Sequence, residues 1–207
     1  MLYQFVYYFL APCVIGVFLR LFNRVKLIDF DKIPTRGPVI LIANHVSMWD
    51  PVYLYCFVRR RAYFMAKSEL FDIPVIGWLL RRIRAFPVKR NTVDRGALRR
   101  ASAILAANGF LVVFPEGTRG KGEELLEFKD GAALLAHRDG VAVVPLGISG
   151  TARSFPKSLG GRVRILCGSP MPLAEFQGRK ASAASLKEMS EVFRQEVTRL
   201  RDEAGRL

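Results

Sequence analysis

Short apolar runs alternate with helical patterns along most of the chain. The runs Val39–Ala43, Phe110–Phe114 and Val141–Ile148 are continuous and rich in β-branched residues, which predicts buried strands. Shorter apolar runs predict further strands at Ala62–Ala66, Phe86–Val88 and Val163–Cys167. Because strands buried on both faces need helices on each side, the pattern predicts an α/β fold with a mixed, mostly parallel central sheet flanked by helices.

The segments between these strands carry helix signals. Pro51–Val58 begins with proline, which is favoured in the first turn of a helix. Asp94–Asn108 is followed by Gly109, a residue typical of helix ends. The remaining helical patterns cover Leu70–Arg82 (interrupted near Pro74), Asp130–Arg138 and about Ala183–Glu203. The last of these has apolar residues at three- and four-residue spacing, which predicts one stripe docked on the body.

The N-terminal stretch has no charged side chain before Arg20. As one helix it would be roughly 28 Å long, close to the hydrocarbon thickness of a bilayer. The basic residues that follow, Arg24 and Lys26 among them, favour the anionic cytoplasmic face. Pro12 would kink or break such a helix, so two short interfacial helices fit equally well. We therefore expect an apolar, membrane-associated helical arm over residues 1–28, at the cytoplasmic face of the cell membrane, and one domain over residues 29–207.

The formal net charge is +14, and residues 1–100 hold 17 basic and 6 acidic side chains. A basic half indicates an anionic partner, which can be nucleic acid, a membrane surface or a phosphorylated substrate. No aromatic residues interleave with a basic stripe and no nucleic-acid motif is recognisable, so anionic membrane lipids are the predicted partner and nucleic acid is not. The three cysteines are far apart in apolar runs, which predicts buried thiols and neither a disulfide framework nor a metal site.

The segment NHVSMWD, residues 44–50, lies between a predicted strand and a predicted helix. A histidine there, His45, can act as a general base near neutral pH, and a carboxylate on its other ring nitrogen would orient it, a role open to Asp50. Five residues do not return to the same face of a helix, so the turn must fold the pair together. Alternatively Asp50 caps the following helix, with Ser47 in a capping box. Spacing alone leaves both interpretations open.

Candidate phosphate ligands also follow predicted strands. In the segment FPEGTR, Gly117 allows the backbone to open, and Thr118 and Arg119 offer donors suited to phosphate. Glu116 could bind a substrate hydroxyl. Singly, basic residues at such places are most often solvated surface.

Two more cations occupy equivalent positions, since Lys67 and Arg90 each fall at the end of a predicted strand, as Arg119 does. If these strands are parallel, their carboxyl ends share one edge of the sheet, where functional groups commonly gather. The pattern then predicts a phosphate site beside His45.

Together these segments resemble the 1-acylglycerol-3-phosphate acyltransferase family, over about residues 20–170. The first family motif is histidine, four residues, then aspartate, which matches His45 and Asp50. The third motif is matched in full by FPEGTR at 114–119, and the fourth resembles VVPL at 143–146. The histidine–aspartate match is weak alone, but FPEGTR at the expected distance makes it specific.

The second family motif matches less completely. Its arginine aligns with Arg90, whereas Arg84 stands where the family has glycine. Lys67, followed by Glu69 and Leu70, also resembles a common family stretch.

The resemblance implies transfer of a fatty acyl group to the sn-2 hydroxyl of lysophosphatidic acid, giving phosphatidic acid. His45 would take the proton from that hydroxyl while Asp50 orients the ring. The donor would be acyl-CoA or an acyl carrier protein thioester, as a co-substrate, with no other cofactor and no metal. The implied substrate-binding residues are Lys67, Arg90, Glu116, Gly117, Thr118 and Arg119.

Two other functions remain open at the level of sequence. The motifs report base chemistry and phosphate binding without specifying a headgroup, so the acceptor could be another lysophospholipid or glycerol 3-phosphate. A basic, non-enzymatic module that binds membranes or nucleic acid would explain the charge and the apolar arm. It would not explain why His45, Asp50 and Glu116 follow predicted strands.

Overall fold

The computed structural model describes residues 11–90, 92–120, 125–138, 140–154, 157–177 and 180–207. Seven strands form one sheet in the order β1-β7-β6-β2-β5-β3-β4. The strands are β1 (Asn23–Ile28), β2 (Val39–Ala43), β3 (Ala62–Lys67), β4 (Ala85–Val88), β5 (Phe110–Val113), β6 (Ala142–Ser149) and β7 (Gly161–Cys167). Six of them overlap the predicted strands, and the predicted α/β class is confirmed.

Helices cover both faces of this sheet. Their bounds are α1 (Ala11–Phe22), α2 (Asp50–Phe57), α3 (Pro74–Arg82), α4 (Arg95–Ala106), α5 (Gly131–Ala136), α6 (Ala174–Gln177) and α7 (Ala183–Arg206). The predicted interruption near Pro74 is confirmed, because a separate 3-10 turn over Ser68–Phe71 precedes α3. The Asp94 side chain caps α4 by accepting a hydrogen bond from the Ala97 N–H, which satisfies a donor that the helix leaves unpaired.

Strand direction decides where chemistry can gather. β2 pairs in parallel with β5 and β6, and β3 pairs in parallel with β4 and β5. β7 is antiparallel to β6 and parallel to β1. The carboxyl ends of β2 to β6 therefore share one edge of the sheet, which we call the catalytic edge.

The two faces of the sheet bury separate cores, since side chains alternate along each strand. One core contains Leu19 of α1, Leu54 of α2 and Phe71, with Leu80 of α3 packed against it. The other core packs α4, α5 and α7 on the opposite face. Helices α1, α2 and α3 thus form one layer, and α4, α5 and α7 form the other.

The N-terminal arm differs from its prediction. Residues 1–10 lie outside the described part of the chain. The prediction of a helical arm is wrong for residues 23–28, because they form the edge strand β1. In β1, the exposed Arg24 and Lys26 alternate with the partly buried Val25 and Leu27. This two-residue period is typical of a strand with one solvent-exposed face. None of the described helices combines the length and the apolar character needed to cross a membrane.

The cysteines also differ from the prediction that all three are buried. Cys167 is buried and Cys56 is half-buried, but Cys13 is exposed on α1. Burial raises the pKa of Cys56 and of Cys167 to about 12, so both stay protonated thiols near neutral pH.

Candidate active site

The predicted site residues follow strands that end at the catalytic edge. This arrangement confirms the expectation that the strands are parallel and that their carboxyl ends lie together. In chain order they are His45 and Asp50 after β2, Lys67 at the end of β3, Arg90 after β4, and Glu116, Gly117, Thr118 and Arg119 after β5.

His45 and Asp50 form a buried pair. The His45 Nδ1 lies 2.9 Å from the Asp50 Oδ2, so the turn does fold the two residues together. Asp50 is fully buried, whereas His45 keeps an exposed fraction of 9%. Because a carboxylate accepts, Nδ1 carries the proton in this pair and Nε2 is left as the basic nitrogen. The His45 ring also stacks on Phe114, with centroids 4.3 Å apart, which fixes its plane.

The Asp50 carboxylate is held from three further sides. Its Oδ2 accepts hydrogen bonds from the backbone N–H groups of Val46 and Ser47, both at 2.8 Å. Its Oδ1 accepts a 2.6 Å hydrogen bond from the Thr151 hydroxyl. The alternative interpretation as a helix cap is wrong, because the N-cap of α2 is Trp49 and makes no side-chain cap bond. The carboxylate instead turns back onto the loop that carries His45.

Glu116 lies beneath the same loop and is only 4% exposed. Its Oε1 accepts a 2.7 Å hydrogen bond from the His45 N–H, and its Oε2 accepts one from the Leu126 N–H at 3.2 Å. Burial raises the pKa of Glu116, and these two hydrogen bonds oppose the increase. The geometry therefore makes Glu116 a positioning residue for the His45 backbone, while direct contact with a substrate hydroxyl stays a prediction.

Two more bonds fix the loop to its neighbours. The Gly120 N–H donates to the His45 carbonyl at 2.8 Å, so the FPEGTR segment lies directly against the histidine. The buried Asn44 side chain donates to the Ile148 carbonyl and accepts from the Ile148 N–H, at 2.9 and 2.7 Å. The Asn44 side chain thus extends the hydrogen bonding between β2 and β6 by two bonds. These bonds hold the backbone in place immediately before His45.

The three predicted phosphate ligands differ in their surroundings. Burial, and after it the positive charge of Arg119, lowers the pKa of Arg90. Lys67 is half-exposed and forms a 2.9 Å ion pair with Glu69. That hydrogen bond is the main reason that the pKa of Glu69 falls to about 2. Guanidinium groups match phosphate oxygens with paired donors, so Arg90 and Arg119 are the strongest phosphate candidates.

Gly117 and Thr118 form the turn that follows the glutamate. Gly117 has φ of 67°, a conformation that glycine adopts without steric cost, and Thr118 is exposed. A Cβ at Gly117 would lie 2.8 Å from the Lys129 Cε and 3.0 Å from its Nζ. Lys129 therefore brings another ammonium group to this turn.

Arg84 adopts the backbone conformation expected of the glycine that it replaces. Its φ is 60°, in the left-handed region that non-glycine residues rarely occupy. Its guanidinium carbon lies 5.3 Å from the centre of the Tyr63 ring, a cation–π contact that offsets part of the backbone cost. The chain thus keeps the local backbone shape despite the substitution.

The sequence analysis did not identify Thr151 or Lys129 as site residues. It also did not predict the structural role of the Asn44 side chain. Thr151 follows β6 at the catalytic edge, and a polar side chain after that predicted strand was the available signal. Nothing in the spacing of Lys129 pointed to Gly117, because their contact depends on the path of the loop between them. Within the described residues, no three His, Cys, Asp or Glu side chains cluster as metal ligands.

We predict that Thr151→Val lowers kcat about tenfold and leaves the KM for the acceptor nearly unchanged. Thr151 is 1% exposed, so the hydrogen bond from its hydroxyl to Asp50 Oδ1 is buried. Loss of this donor costs about 1–3 kcal/mol. Steady-state kinetics would measure the effect. Thr151→Ser should restore kcat because it restores the hydroxyl.

The matched control is Thr198→Val, since the Thr198 hydroxyl only bonds the Arg194 carbonyl within α7. It should leave kcat unchanged. A Thr151→Val enzyme with normal kcat would show that this hydroxyl does not support the pair.

Comparisons with known proteins identify the family to which the chain belongs. Residues 24–149 match the family model described as Acyltransferase. A chloroplastic 1-acyl-sn-glycerol-3-phosphate acyltransferase of Arabidopsis thaliana is 30% identical over 175 residues, covering 80% of this chain and 48% of the relative. The 1-acyl-sn-glycerol-3-phosphate acyltransferase of Bacillus subtilis is 26% identical over 192 residues, covering 92% and 95% of the two chains.

A solved structure extends the similarity to the fold. The crystal structure of the 1-acyl-sn-glycerophosphate acyltransferase PlsC from Thermotoga maritima superposes with a TM-score of 0.73 at 29% identity, covering 96% of this chain and 81% of that one. The chain spans about half the length of the chloroplastic relatives it matches.

Proposed function

The chain belongs to the acyltransferase family, and from this premise we propose that it transfers a fatty acyl group from a thioester to the sn-2 hydroxyl of lysophosphatidic acid. The product is phosphatidic acid. The observation that carries the proposal is the buried His45–Asp50 pair at the same edge of the sheet as Arg90 and Arg119. The names of the similar acyltransferases from Bacillus subtilis and Thermotoga maritima support the acceptor.

In the proposed reaction, the His45 Nε2 takes the proton of the acceptor hydroxyl while Nδ1–H donates to Asp50. The hydroxyl oxygen attacks the thioester carbonyl, so a C–O bond forms and the C–S bond breaks. The imidazolium then returns its proton to the departing thiolate. The negative Asp50 stabilises the imidazolium between these two transfers, the role that a buried carboxylate has in a catalytic triad. No covalent acyl-enzyme is needed.

Arg90 and Arg119 are proposed to bind the acceptor phosphate, with Lys67 at the rim. Guanidinium groups suit this task because their planar donors match phosphate oxygens in pairs. Arg119 directly precedes Gly120, whose N–H donates to the His45 carbonyl. This hydrogen bond connects the segment that carries the proposed phosphate ligand to the loop that carries the base. Lys67 is paired with Glu69, and a phosphate must compete with that carboxylate.

The proposed donor is acyl-CoA or an acyl carrier protein thioester, as a co-substrate without any other cofactor. The proposed location is the cytoplasmic face of the cell membrane, where an acceptor with a fatty acyl chain resides. The exposed Arg20, Arg24 and Lys26 in and after α1 support this location because anionic lipids attract basic residues.

The decisive experiment is phosphatidic acid formation by the purified full chain in detergent. Lysophosphatidic acid is supplied with acyl-CoA or with acyl carrier protein thioester, and glycerol 3-phosphate and a second lysophospholipid are tested as competing acceptors. We expect the highest kcat/KM for lysophosphatidic acid. A higher value for glycerol 3-phosphate would replace the proposed acceptor, and no transfer to any acceptor would overturn the enzyme assignment.

We predict that Arg119→Ala raises the KM for lysophosphatidic acid about tenfold or more and lowers kcat less. A charge-assisted hydrogen bond contributes about 1.5–3 kcal/mol, which corresponds to this range. The control is Arg36→Ala, because the exposed Arg36 precedes β2 and so lies towards the opposite edge of the sheet. An unchanged KM for lysophosphatidic acid in Arg119→Ala would show that other basic residues bind the phosphate.

A further inference from the structure

Helix α3 presents an apolar surface that the protein itself does not cover within the described residues. Its sequence is PVIGWLLRR, with both charges in the last turn. Among its members, Val75 is 76% exposed and Leu79 is 49% exposed, and Ile76 and Trp78 are also exposed. A monomeric protein rarely exposes so many large apolar side chains together without a binding role.

The packing of α3 explains why this surface faces outward. Gly77 is the one buried residue of the helix, and a Cβ there would lie 2.3 Å from the Phe71 carbonyl oxygen. The helix therefore docks through a glycine contact, with Leu80 one turn later packed on the core. Such a close approach fixes the rotation of α3 about its axis, so the apolar side is held in one direction.

The layer to which α3 belongs has a consistent charge. The charged side chains of α1, α2 and α3 are the exposed Arg20 and Arg81, the partly exposed Arg82 and the fully buried Asp50. Helix α1 exposes further apolar side chains, including Val17 and Leu21.

The opposite layer has a different surface. Helix α7 carries acids that pair with its arginines, as in the bonds of Arg199 to the partly exposed Glu196 and the exposed Glu203. An apolar surface with basic ends suits an anionic bilayer, whereas a surface of mixed charge suits water.

We propose that α3 is a second membrane-contacting element, which inserts its apolar side into the interface of an anionic bilayer together with α1. Trp78 suits that depth, because tryptophan favours the headgroup region, and the guanidinium of Arg82 lies 5.0 Å from its ring centre. The inference rests on the proposed function in one respect, since a lipid acceptor gives the contact its purpose.

The position of α3 along the chain connects this contact to the site. The segment that carries α3 begins at Lys67, at the end of β3, and leads through β4 to Arg90. Insertion of α3 thus holds the proposed phosphate ligands next to the headgroups, and a lysophosphatidic acid molecule can reach them without leaving the interface. The exposed acids before the helix are Glu69, which pairs with Lys67, and Asp72.

Tryptophan fluorescence tests the contact directly. The chain has two tryptophans, and Trp49→Phe leaves Trp78 as the reporter in an otherwise full chain. Vesicles of equal parts phosphatidylcholine and phosphatidylglycerol should shift its emission to the blue, and brominated lipids should quench it. Unchanged emission and no quenching would overturn the inference. A blue shift that appears with protein concentration alone, without lipid, would also overturn it, because the surface would then join two copies of the chain.

A double substitution, Val75→Glu with Leu79→Glu, tests the same surface by affinity. Both side chains are exposed, so folding should be preserved, while two acids at an anionic surface should weaken vesicle binding about tenfold or more. The matched control is Val192→Glu, since Val192 is 37% exposed on α7 in the opposite layer. Wild-type binding by the α3 variant, or an equal loss in the control, would contradict the proposal.

These measurements do not depend on turnover. If the protein binds vesicles through Trp78 but transfers no acyl group, the proposed function fails and the membrane contact stands. If transfer occurs in detergent but Trp78 never meets lipid, only the membrane contact fails. With both correct, the α3 variant should lose activity on acceptor in vesicles and keep it on acceptor in detergent micelles.

Discussion

His45→Ala should lower kcat by about 100- to 10,000-fold, the contribution typical of a positioned general base. The ring is the only part of His45 that can take a proton, and its Nδ1 is already held by Asp50 at 2.9 Å. Alanine keeps the backbone bonds of this position to Glu116 and Gly120, so the loop should keep its path. The effect should therefore appear in kcat, measured by phosphatidic acid formation, with little change in vesicle binding.

The stability of this variant can be bounded from the same contacts. Asp50 would lose one donor and keep those of Val46, Ser47 and Thr151, and Phe114 would lose its stacking partner. A cost of about 1–3 kcal/mol follows, which lowers the Tm of a chain of this size by roughly 2–12 °C. The variant should still unfold cooperatively.

The chain offers a matched control, since His137 is the other of its two histidines. The Nε2 of His137 is buried without a hydrogen-bond partner among the described residues, at the end of α5. His137→Ala should leave kcat unchanged and should not destabilise through a lost bond at that nitrogen. If His45→Ala kept near-wild-type turnover, His45 would not be the base.

Asp50→Asn should lower kcat by about 1,000- to 10,000-fold while the fold persists. An asparagine oxygen can accept the three bonds now made to Oδ2, and its amide can donate to the Thr151 hydroxyl, which also accepts. The substitution thus removes the negative charge and keeps the shape. The imidazolium that forms during transfer loses its stabilising partner, and a loss of kcat of about 10,000-fold follows the same substitution in a catalytic triad.

Kinetics and thermal unfolding together separate charge from structure at this position. The kcat should fall and the Tm should change little, whereas Asp202→Asn, which removes a charge from the exposed end of α7, should change neither. A large fall in Tm for Asp50→Asn would mean that the carboxylate acts mainly by holding the loop. Normal kcat with normal Tm would remove Asp50 from the mechanism.

Most of the sheet could be predicted from sequence because its central strands are buried on both faces. Val39–Ala43 and Phe110–Val113 are buried at every position, and that burial requires continuous apolar runs. The edge strand β1 was missed for the opposite reason. Only one face of it is covered, so charged residues alternate through it, and it follows an apolar stretch that favours helix.

Part of the candidate site could also be predicted. His45, Asp50 and FPEGTR are short motifs whose residue types limit their chemistry, and they follow strands that are themselves predictable. The partners of Thr151 and Lys129 could not be found in this way. Each reaches its partner across a long separation in sequence or through an irregular loop, and no local pattern records such a contact.

Asp50 shows why the remaining features depend on the tertiary structure. Local spacing allowed a helix cap as well as a catalytic partner, and the fold turned its carboxylate onto His45 and the loop instead. The same holds for Glu116, whose oxygens are directed to the His45 and Leu126 backbone.

Sequence alone therefore determined the α/β class, the central strands and the residue types of the site, because burial and local chemistry constrain each of these position by position. Tertiary structure alone decided strand direction at each edge of the sheet, the partners of Asp50 and Glu116, and the outward face of α3. These features depend on contacts between segments that are distant in sequence, and a one-dimensional pattern carries no information about which of those segments meet.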